Sequence, residues 1–200
     1  MLRKLFTLAV SLVATIMTVS AQTPPNNEIW YTSTDGKKQY LCINDFDGND
    51  DGFKIVSHTY SNGLGIIRAN KPIKCYGGGE GEDAEGWKLL SGIRTIVLPK
   101  SLKIIASGAF VGCSSLTSIT IPNSVTSIES YAFSYCSSLK SFKGKFASSD
   151  GRCLIIDGVL VAFAPAGLTK YIVPESVTSI GEGAFDGCSS LTSITIPESV

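Results

Sequence analysis

The chain has 200 residues, of which 44% are apolar and 17% are charged. Its 17 basic residues balance its 17 acidic residues, so the sequence carries no electrostatic footprint for DNA, RNA or an anionic membrane. A chain of this length and composition can bury a sizeable core and does not have the composition of a disordered protein.

A secretory signal is predicted at the start of the chain, over residues 1–21. Two basic residues precede an apolar run, and Val19 and Ala21 supply the small side chains of a cleavage site. The apolar run is shorter than the roughly 20 residues that a transmembrane helix needs. We therefore expect an exported protein, secreted or held at the cell surface, whose mature chain begins at Gln22 and has no membrane span after cleavage.

Residues 22–92 are predicted to form a small β-rich unit that caps the region after it. Four strand-like runs, separated by turn residues, occur there: EIWYTS, QYLCI, FKIVSHTYS and LGIIRAN. No local motif gives His58 a nucleophile or an orienting acid, so we expect a structural role for this histidine. The glycine-rich loop at 76–86 lacks the Gly-Lys-Ser/Thr of a phosphate cradle.

The loop at 44–52 matches part of the pattern of a calcium-binding loop. Its alternating oxygen donors are Asp45, Asp47, Asn49 and Asp51. However, Asp50 stands where a calcium loop needs glycine, and Val56 stands where it needs a bidentate glutamate. We expect a solvated turn there, and we assign no metal or cofactor site.

The second half of the chain is built on a 23-residue period. The phrase GCSSLTSITIP at 112–122 returns unchanged at 187–197. Within it, the alternation places Ile119 and Ile121 inward and Thr120 outward, which predicts a short strand that the following proline ends. The side chains expected to be buried are Leu116, Ile119, Ile121, Val125, Ile128, Phe133, Leu191, Ile194 and Ile196.

A single repeat is not stable as an isolated unit. It buries about six large side chains at roughly 1.5–3 kcal/mol each, whereas ordering its residues costs about 1–2 kcal/mol apiece. Each repeat must therefore share its faces with two neighbours, which gives a ladder of parallel strands over one continuous core. The predicted fold class is an all-β solenoid of 23-residue repeats over residues 93–200, preceded by the small N-terminal β unit.

The repeat resembles that of a known family. Its consensus, L-x-x-I-x-I-P-x-S-V-x-x-I-x-x-x-A-F-x-x-C, is similar to the BspA-like leucine-rich repeat of bacterial surface proteins over residues 93–200. The stretch NNEIWYTSTDG at 26–36 also resembles the region that precedes such repeats. The resemblance implies a secreted or surface-displayed leucine-rich-repeat solenoid, and some members of the family bind host matrix proteins or other bacteria.

Residues 139–167 depart from the repeat pattern. They lose the proline and the Ala-Phe pair at the positions that the repeat gives them, and Asp157-Gly158 between two apolar runs predicts a β-hairpin. Two interpretations stay open: the hairpin or the loop before it projects from the stack, or the segment is an alternative repeat packed in the same core. The sequence stops in mid-repeat at Val200, so we expect the native protein to continue or this chain to be a fragment.

Cysteines recur at one position of the repeat, as Cys113, Cys136 and Cys188. Because neighbouring side chains at that position point the same way, their geometry suits packing better than a disulfide, and we expect free buried thiols. For Cys42 and Cys75, a bridge within the N-terminal unit and two separate thiols are equally open.

The outward strand positions form three columns when the repeats are stacked. The columns are Arg94, Thr117, Lys140, Thr169 and Thr192; Thr95, Ser118, Ser141, Lys170 and Ser193; and Val97, Thr120, Lys143, Ile172 and Thr195. The candidate partner-binding face takes from them Arg94, Thr117, Ser118, Thr120, Lys140, Lys143 and Lys170. A solvated sheet face explains the same pattern. These columns contain no aromatic platform, which counts against specific glycan binding.

The sequence favours an exported binding or adhesion module that recognises a protein, or a glycan, through the solenoid. No paired carboxylates, zinc spacing or triad marks an enzyme within these residues. One alternative is a structural spacer that displays another domain. The other is the accessory repeat region of a secreted hydrolase whose catalytic domain lies beyond residue 200.

Overall fold

The computed structural model describes residues 23–39, 43–44, 52–77 and 91–200. These residues form strands and connecting turns, and no helix that could cross a membrane occurs among them. In chain order the strands are β1 (Glu28–Ser33), β2 (Ile43–Asn44), β3 (Ile55–Ser61), β4 (Leu64–Ala69), β5 (Cys75–Tyr76), β6 (Ile93–Val97), β7 (Ile104–Ile105), β8 (Ser118–Thr120), β9 (Ser127–Ile128), β10 (Ser141–Lys143), β11 (Cys153–Ile156), β12 (Val159–Phe163), β13 (Lys170–Ile172), β14 (Ser179–Ile180) and β15 (Ser193–Thr195).

Three features predicted from the sequence lie outside the described residues. They are the signal segment at 1–21, the acidic positions of the calcium-like loop at 45–51, and all but the start of the glycine-rich loop at 76–86.

Two parallel ladders run through the repeats. On one side β8 and β10 pair in parallel, with Ile119 opposite Phe142. On the other side β5, β7 and β9 pair in parallel, with Ile105 opposite Ile128. Equivalent residues of successive repeats therefore lie side by side, and this arrangement is the predicted all-β solenoid with 23-residue spacing.

Aromatic rings stack through the centre of the solenoid. The ring centroids of Tyr76 and Phe110 are 4.6 Å apart, and those of Phe110 and Phe133 are 4.9 Å apart. Phe142 meets Phe133 edge-on at 5.1 Å. All four rings are buried. Such contacts add to the free energy of burial, so each repeat stabilises the aromatic side chain of its neighbour.

The predicted pattern of buried and exposed positions is confirmed in the central repeats and wrong in the last one. The side chains confirmed as buried are Leu116, Ile119, Ile121, Val125, Ile128 and Phe133. Ile194 and Ile196, which the pattern places inward, are 36% and 46% exposed, and Leu191 is half-buried. The reason is their place in the stack, because β15 pairs with β13 on one side only within the described residues.

The N-terminal strands and the first repeat share one antiparallel sheet, in the order β3-β4-β1-β6. Trp30 of β1 lies opposite Val97 of β6. On the inner face of this sheet, the hydroxyl of the buried Tyr31 lies 2.7 Å from Nε2 of His58. Burial lowers the pKa of His58 and raises the pKa of Tyr31. Both groups are therefore neutral near pH 7 and serve to join β3 to β1.

The variant repeat at 139–167 packs in the core. β11 and β12 form the predicted hairpin, with Asp157 and Gly158 at φ of 49° and 81°, the left-handed conformation that this two-residue turn requires. Leu154 and Leu160 are fully buried, and β12 pairs in parallel with β14. The interpretation in which the hairpin projects from the stack is therefore wrong, whereas the residues of the loop before it, 143–151, are exposed or half-buried.

The turns on either side of the variant repeat meet directly, because this repeat has no Ala-Phe turn. The backbone N–H of Tyr131 donates to the carbonyl of Glu182, at 3.3 Å. Four residues on, the N–H of Tyr135 donates to the carbonyl of Asp186, at 3.1 Å. The hydroxyl of Tyr131 adds a 2.6 Å hydrogen bond to the carboxylate of Glu182.

Glycine permits this close approach. Gly183 and Gly187 lie against Tyr131 and Tyr135 and have φ of +72° and +75°. A Cβ on Gly187 would lie 2.5 Å from the Cα of Tyr135. Both tyrosines are themselves at φ of 60°, which is uncommon for residues with a Cβ. The contact between the two turns therefore depends on the absence of a Cβ at Gly183 and Gly187. It also depends on Tyr131 and Tyr135, whose backbones are held in an unfavourable conformation.

The cysteines that recur in the repeats are free thiols, as predicted. Cys113 and Cys136 are buried, whereas Cys188 is only half-buried. The thiol of Cys136 donates to the carbonyl of Phe110 at 3.1 Å. Hydrogen bonding with Cys136, together with burial, raises the pKa of Cys113. Cys42 lies outside the described residues, so its bridge or lack of one stays a prediction.

Candidate functional site

The outward side of β6, β8 and β10 forms one surface, which we call the strand face. Val97, Thr120 and Lys143 occupy equivalent positions on the three strands. Side chains alternate between the two sides of a strand, so the residues next to them, such as Ile119 and Phe142, are buried beneath the strand face. The burial of these apolar neighbours therefore fixes the outward direction of the polar side chains.

A groove of about 750 Å³ lies on the strand face. Ser118, Thr120 and Lys143 line it, and so do Thr95 and Val97 of β6. β6 and β8 belong to different sheets, since β6 pairs with β1 and β8 pairs with β10. The groove is thus placed where the ladder of outward strands is interrupted.

The groove is positively charged and rich in hydroxyl groups. Its lining residues include Lys100 and Lys143. No aspartate or glutamate of the described ranges lines it. Ser124 also lines the groove, and its buried Oγ has no hydrogen-bond partner within the described part of the chain. Buried hydroxyls are normally satisfied, so Ser124 is an exception beneath the wall of the groove.

A smaller pocket of about 320 Å³ brings two more of the predicted residues together. Thr117 and Lys140 line it, with Ser137 and Ser138 beside them. The pocket adjoins the first residues of β8 and β10 and ends against the segment 165–167, which follows the variant hairpin.

The remaining predicted residues, Arg94 and Lys170, are exposed but line neither depression. Lys170 is separated from the groove because β10 does not pair with β13. The N–H of Phe142 instead donates to the carbonyl of Gly151, at 2.7 Å. The predicted columns are therefore interrupted between Lys143 and Lys170 by the variant repeat.

Sequence reasoning missed Trp30, which extends the strand face sideways. Residues directly opposite in an antiparallel pair project to the same side of the sheet, and Trp30 lies opposite both Val97 and Ile66. The neighbouring pair, Thr32 and Thr95, confirms the direction, because their hydroxyl oxygens are 2.7 Å apart. The alternation of EIWYTS, in which Trp30 falls between two buried residues, was the signal that could have located it.

The side chain of Trp30 is fixed in place. Its indole N–H donates to Oε2 of Glu28 at 2.7 Å. Oε1 of Glu28 accepts from Arg68 in an ion pair of 2.6 Å. Glu28 is only 5% exposed, and the ion pair with Arg68 compensates its buried charge. The half-buried Trp30 ring is thereby held at the surface next to Val97.

A second cluster of polar groups joins the variant repeat to β13. The Tyr171 hydroxyl donates to Asp150 at 2.9 Å and lies 3.3 Å from the Cys153 thiol. Burial raises the pKa of Cys153 to about 11, so the thiol is protonated at neutral pH and is a poor nucleophile. Among the described residues, no group of His, Cys, Asp and Glu side chains could hold a metal ion. We interpret this cluster as structural.

Comparison with known families identifies the repeats. The sequence of this chain matches the family described as the BspA type leucine-rich repeat region. Six copies of the repeat are found, over residues 88–149 and 161–200, which together make up half of the chain. The chain belongs to the BspA-type leucine-rich repeat family. The unmatched interval, 150–160, falls within the variant repeat, where the hairpin replaces the Ala-Phe turn. A comparison with curated proteins found no match.

Solved structures of leucine-rich repeat proteins are similar to this BspA-type chain. A cell surface protein from Faecalibacterium prausnitzii is 25% identical, over 52% of this chain and 35% of that one, with a TM-score of 0.42. A leucine-rich repeat protein from T. pallidum is 32% identical, over 48% and 42%, with a TM-score of 0.32. One from Bacteroides ovatus is 17% identical, over 82% and 41%, with a TM-score of 0.35. The chain thus spans less than half the length of each.

Proposed function

We propose that this chain is the binding region of an exported bacterial surface protein and that its partner docks on the strand face. The observation that carries the proposal is the groove, in which Ser118, Thr120 and Lys143 converge. Membership of the BspA-type family supports it. The proposal assigns the chain no chemistry of its own, in keeping with a repeat protein whose surface is used for recognition.

The charge of the groove supports an anionic contact surface on the partner. Lys100 and Lys143 line it without a carboxylate among the described residues. Exposed charges at an interface mainly increase the association rate and the sensitivity to salt. Removal of a groove lysine should therefore slow the association of a partner while leaving the fold intact.

The experiment measures the association of soluble host matrix proteins with the immobilised chain at low and high salt. Lys143→Ser should slow association at low salt, and Lys140→Ser should have a smaller effect because Lys140 lines the separate, smaller pocket. Lys170→Ser is the matched control, since it removes the same charge outside both depressions. None of the three changes should lower the midpoint of unfolding.

Two results would contradict the proposal. An equal association rate for the Lys143→Ser variant and the unchanged chain would place the binding site away from the groove. If no matrix component, whether protein or polysaccharide, bound the intact chain, a spacer that displays another domain would describe this region better.

A further inference from the structure

The surface that continues from the groove across β6 and β1 carries an aromatic ring next to hydroxyl groups and ammonium groups. Trp30, Val97, Thr120 and Lys143 follow one another on β1, β6, β8 and β10. Hydrogen-bonded strands lie about 4.8 Å apart and β6 and β8 are not hydrogen-bonded to each other, so these four side chains span on the order of 15 Å or more at right angles to the strands. A ligand that touches both ends must be elongated and must cross the strands.

Each part of this surface matches a different part of one ligand class. The C–H face of a pyranose ring packs on an aromatic ring by dispersion and excludes water. Threonine and serine hydroxyls both donate and accept hydrogen bonds, as sugar hydroxyls do. The ammonium group of Lys143, with Lys100 in the same groove, attracts an anionic substituent.

The indole ring of Trp30 is also preorganised for stacking. Its N–H is occupied by Glu28, and Glu28 is held by Arg68. Little rotamer entropy therefore remains to be lost when a ligand packs on the ring. The nearest carboxylate is compensated by this ion pair, so the anionic substituent meets little repulsion there.

We propose that the strand face, together with Trp30, binds an acidic polysaccharide: a chain of pyranose units that carries carboxylate or sulfate groups. One sugar ring lies on Trp30, the hydroxyls of Thr95, Ser118 and Thr120 contact the chain, and an anionic group meets Lys143. The proposal rests on the proposed function, since it names the chemistry of the partner at the same face.

Binding of the full chain to four soluble polymers tests this assignment. Heparin carries both sulfate and carboxylate groups, polygalacturonate carries carboxylate groups alone, dextran is a neutral polysaccharide, and poly-glutamate is an acidic polymer without sugar rings. We expect heparin or polygalacturonate, or both, to bind and dextran to bind weakly. Binding of heparin alone would show that the site needs sulfate, and binding of polygalacturonate would show that carboxylate is sufficient.

Two variants with a matched control locate the site. Trp30→Leu keeps an apolar, though smaller, side chain and removes the ring face, and we expect affinity for the preferred polymer to fall at least about tenfold. Lys143→Gln should lower affinity about threefold at low salt and less at high salt. Lys170→Gln removes the same charge from β13, outside the groove, and should leave binding unchanged.

Tryptophan fluorescence gives a second measurement on the folded protein. The chain has two tryptophans, and the other, Trp87, lies outside the described residues. In a Trp87→Phe variant, the preferred polymer should shift or quench the emission of Trp30, because a sugar ring replaces water at the indole. An emission that does not change at saturation would show that no ring lies on Trp30.

The remaining outcomes separate this proposal from the proposed function. If poly-glutamate binds as tightly as the acidic polysaccharides and Trp30→Leu has no effect, the site selects an acidic protein segment and the proposal is overturned. It is also overturned if a matrix protein binds in a Lys143-dependent way while no polysaccharide does. In that case the binding role of the strand face stands and its ligand chemistry is different.

Discussion

Replacement of Gly187 by alanine should destabilise the solenoid more than the same change at Gly167. Gly187 has φ of +75° and Gly167 has φ of +80°, so both substitutions place alanine in the left-handed region. That conformation costs about 1–2 kcal/mol for a residue with a Cβ. The surroundings differ, because a Cβ at Gly187 would lie 2.5 Å from the Cα of Tyr135, whereas nothing lies within 4 Å of one at Gly167.

The size of the difference follows from that distance. Carbon atoms prefer separations of about 3.5–4.0 Å, so the turn that contains Tyr135 would have to move by roughly 1 Å. Overpacking of a well-packed site costs about 1–3 kcal/mol. The expected loss of unfolding free energy is therefore about 2–5 kcal/mol for Gly187→Ala and about 1–2 kcal/mol for Gly167→Ala.

Urea unfolding of the purified variants measures both values from the shift of the midpoint at a constant m-value. Gly183 gives an internal check, since the three atoms nearest to a Cβ there all belong to the ring of Tyr131. Removal of that ring with Tyr131→Gly should reduce the effect of Gly183→Ala, with a coupling of about 0.5–3 kcal/mol. The overlap at Gly187 involves the Cα and backbone N of Tyr135 as well as its Cδ1, so Tyr135→Gly should relieve it only in part. Equal midpoint shifts for Gly187→Ala and Gly167→Ala would refute the direct contact of the two turns.

Three other measurements probe the aromatic core, the buried thiols and the hydrogen-bonded carboxylate of Asp150. Phe133→Ala should lower the unfolding free energy by about 3–5 kcal/mol, because the ring is 5% exposed and stacked on Phe110; a much smaller midpoint shift would show that it is not part of a packed spine. Cys113 and Cys136 should resist a thiol reagent in the native protein and react after unfolding without reductant; recovery of either in a disulfide would contradict their assignment as buried packing residues. Although burial raises the pKa of Asp150, hydrogen bonds from a serine hydroxyl, a backbone N–H and a tyrosine hydroxyl together hold that pKa below its ordinary value. The carboxylate therefore stabilises the fold above its unfolded pKa of about 3.9, and this contribution is lost as the pH falls through the lower folded value. The difference in unfolding free energy between the unchanged chain and Asp150→Asn should accordingly shrink between about pH 5 and pH 2, and a constant difference would exclude this linkage.

The repeat could be predicted because the same local environment recurs every 23 residues. Ile119 and Thr120 are adjacent in sequence and face opposite ways in the structure, as the alternation of a strand requires. The hairpin at Asp157 and Gly158 was equally accessible, since these residue types favour the left-handed conformation that the turn needs. Such features depend on neighbours in the chain, or on a neighbouring repeat of the same sequence.

The sequence alone thus determined the solenoid, its period and the outward direction of Thr117, Ser118 and Thr120. Only the tertiary structure decided which outward residues share a site. Lys143 lines the groove and Lys170 does not, because the variant repeat lies between their strands. Trp30 joins the same face through an antiparallel pairing with Val97, 67 residues away in the chain. Alternation along a strand fixes the side of the sheet to which a residue points, but the identity of the adjacent strand depends on long-range pairing and packing, which a local pattern does not encode.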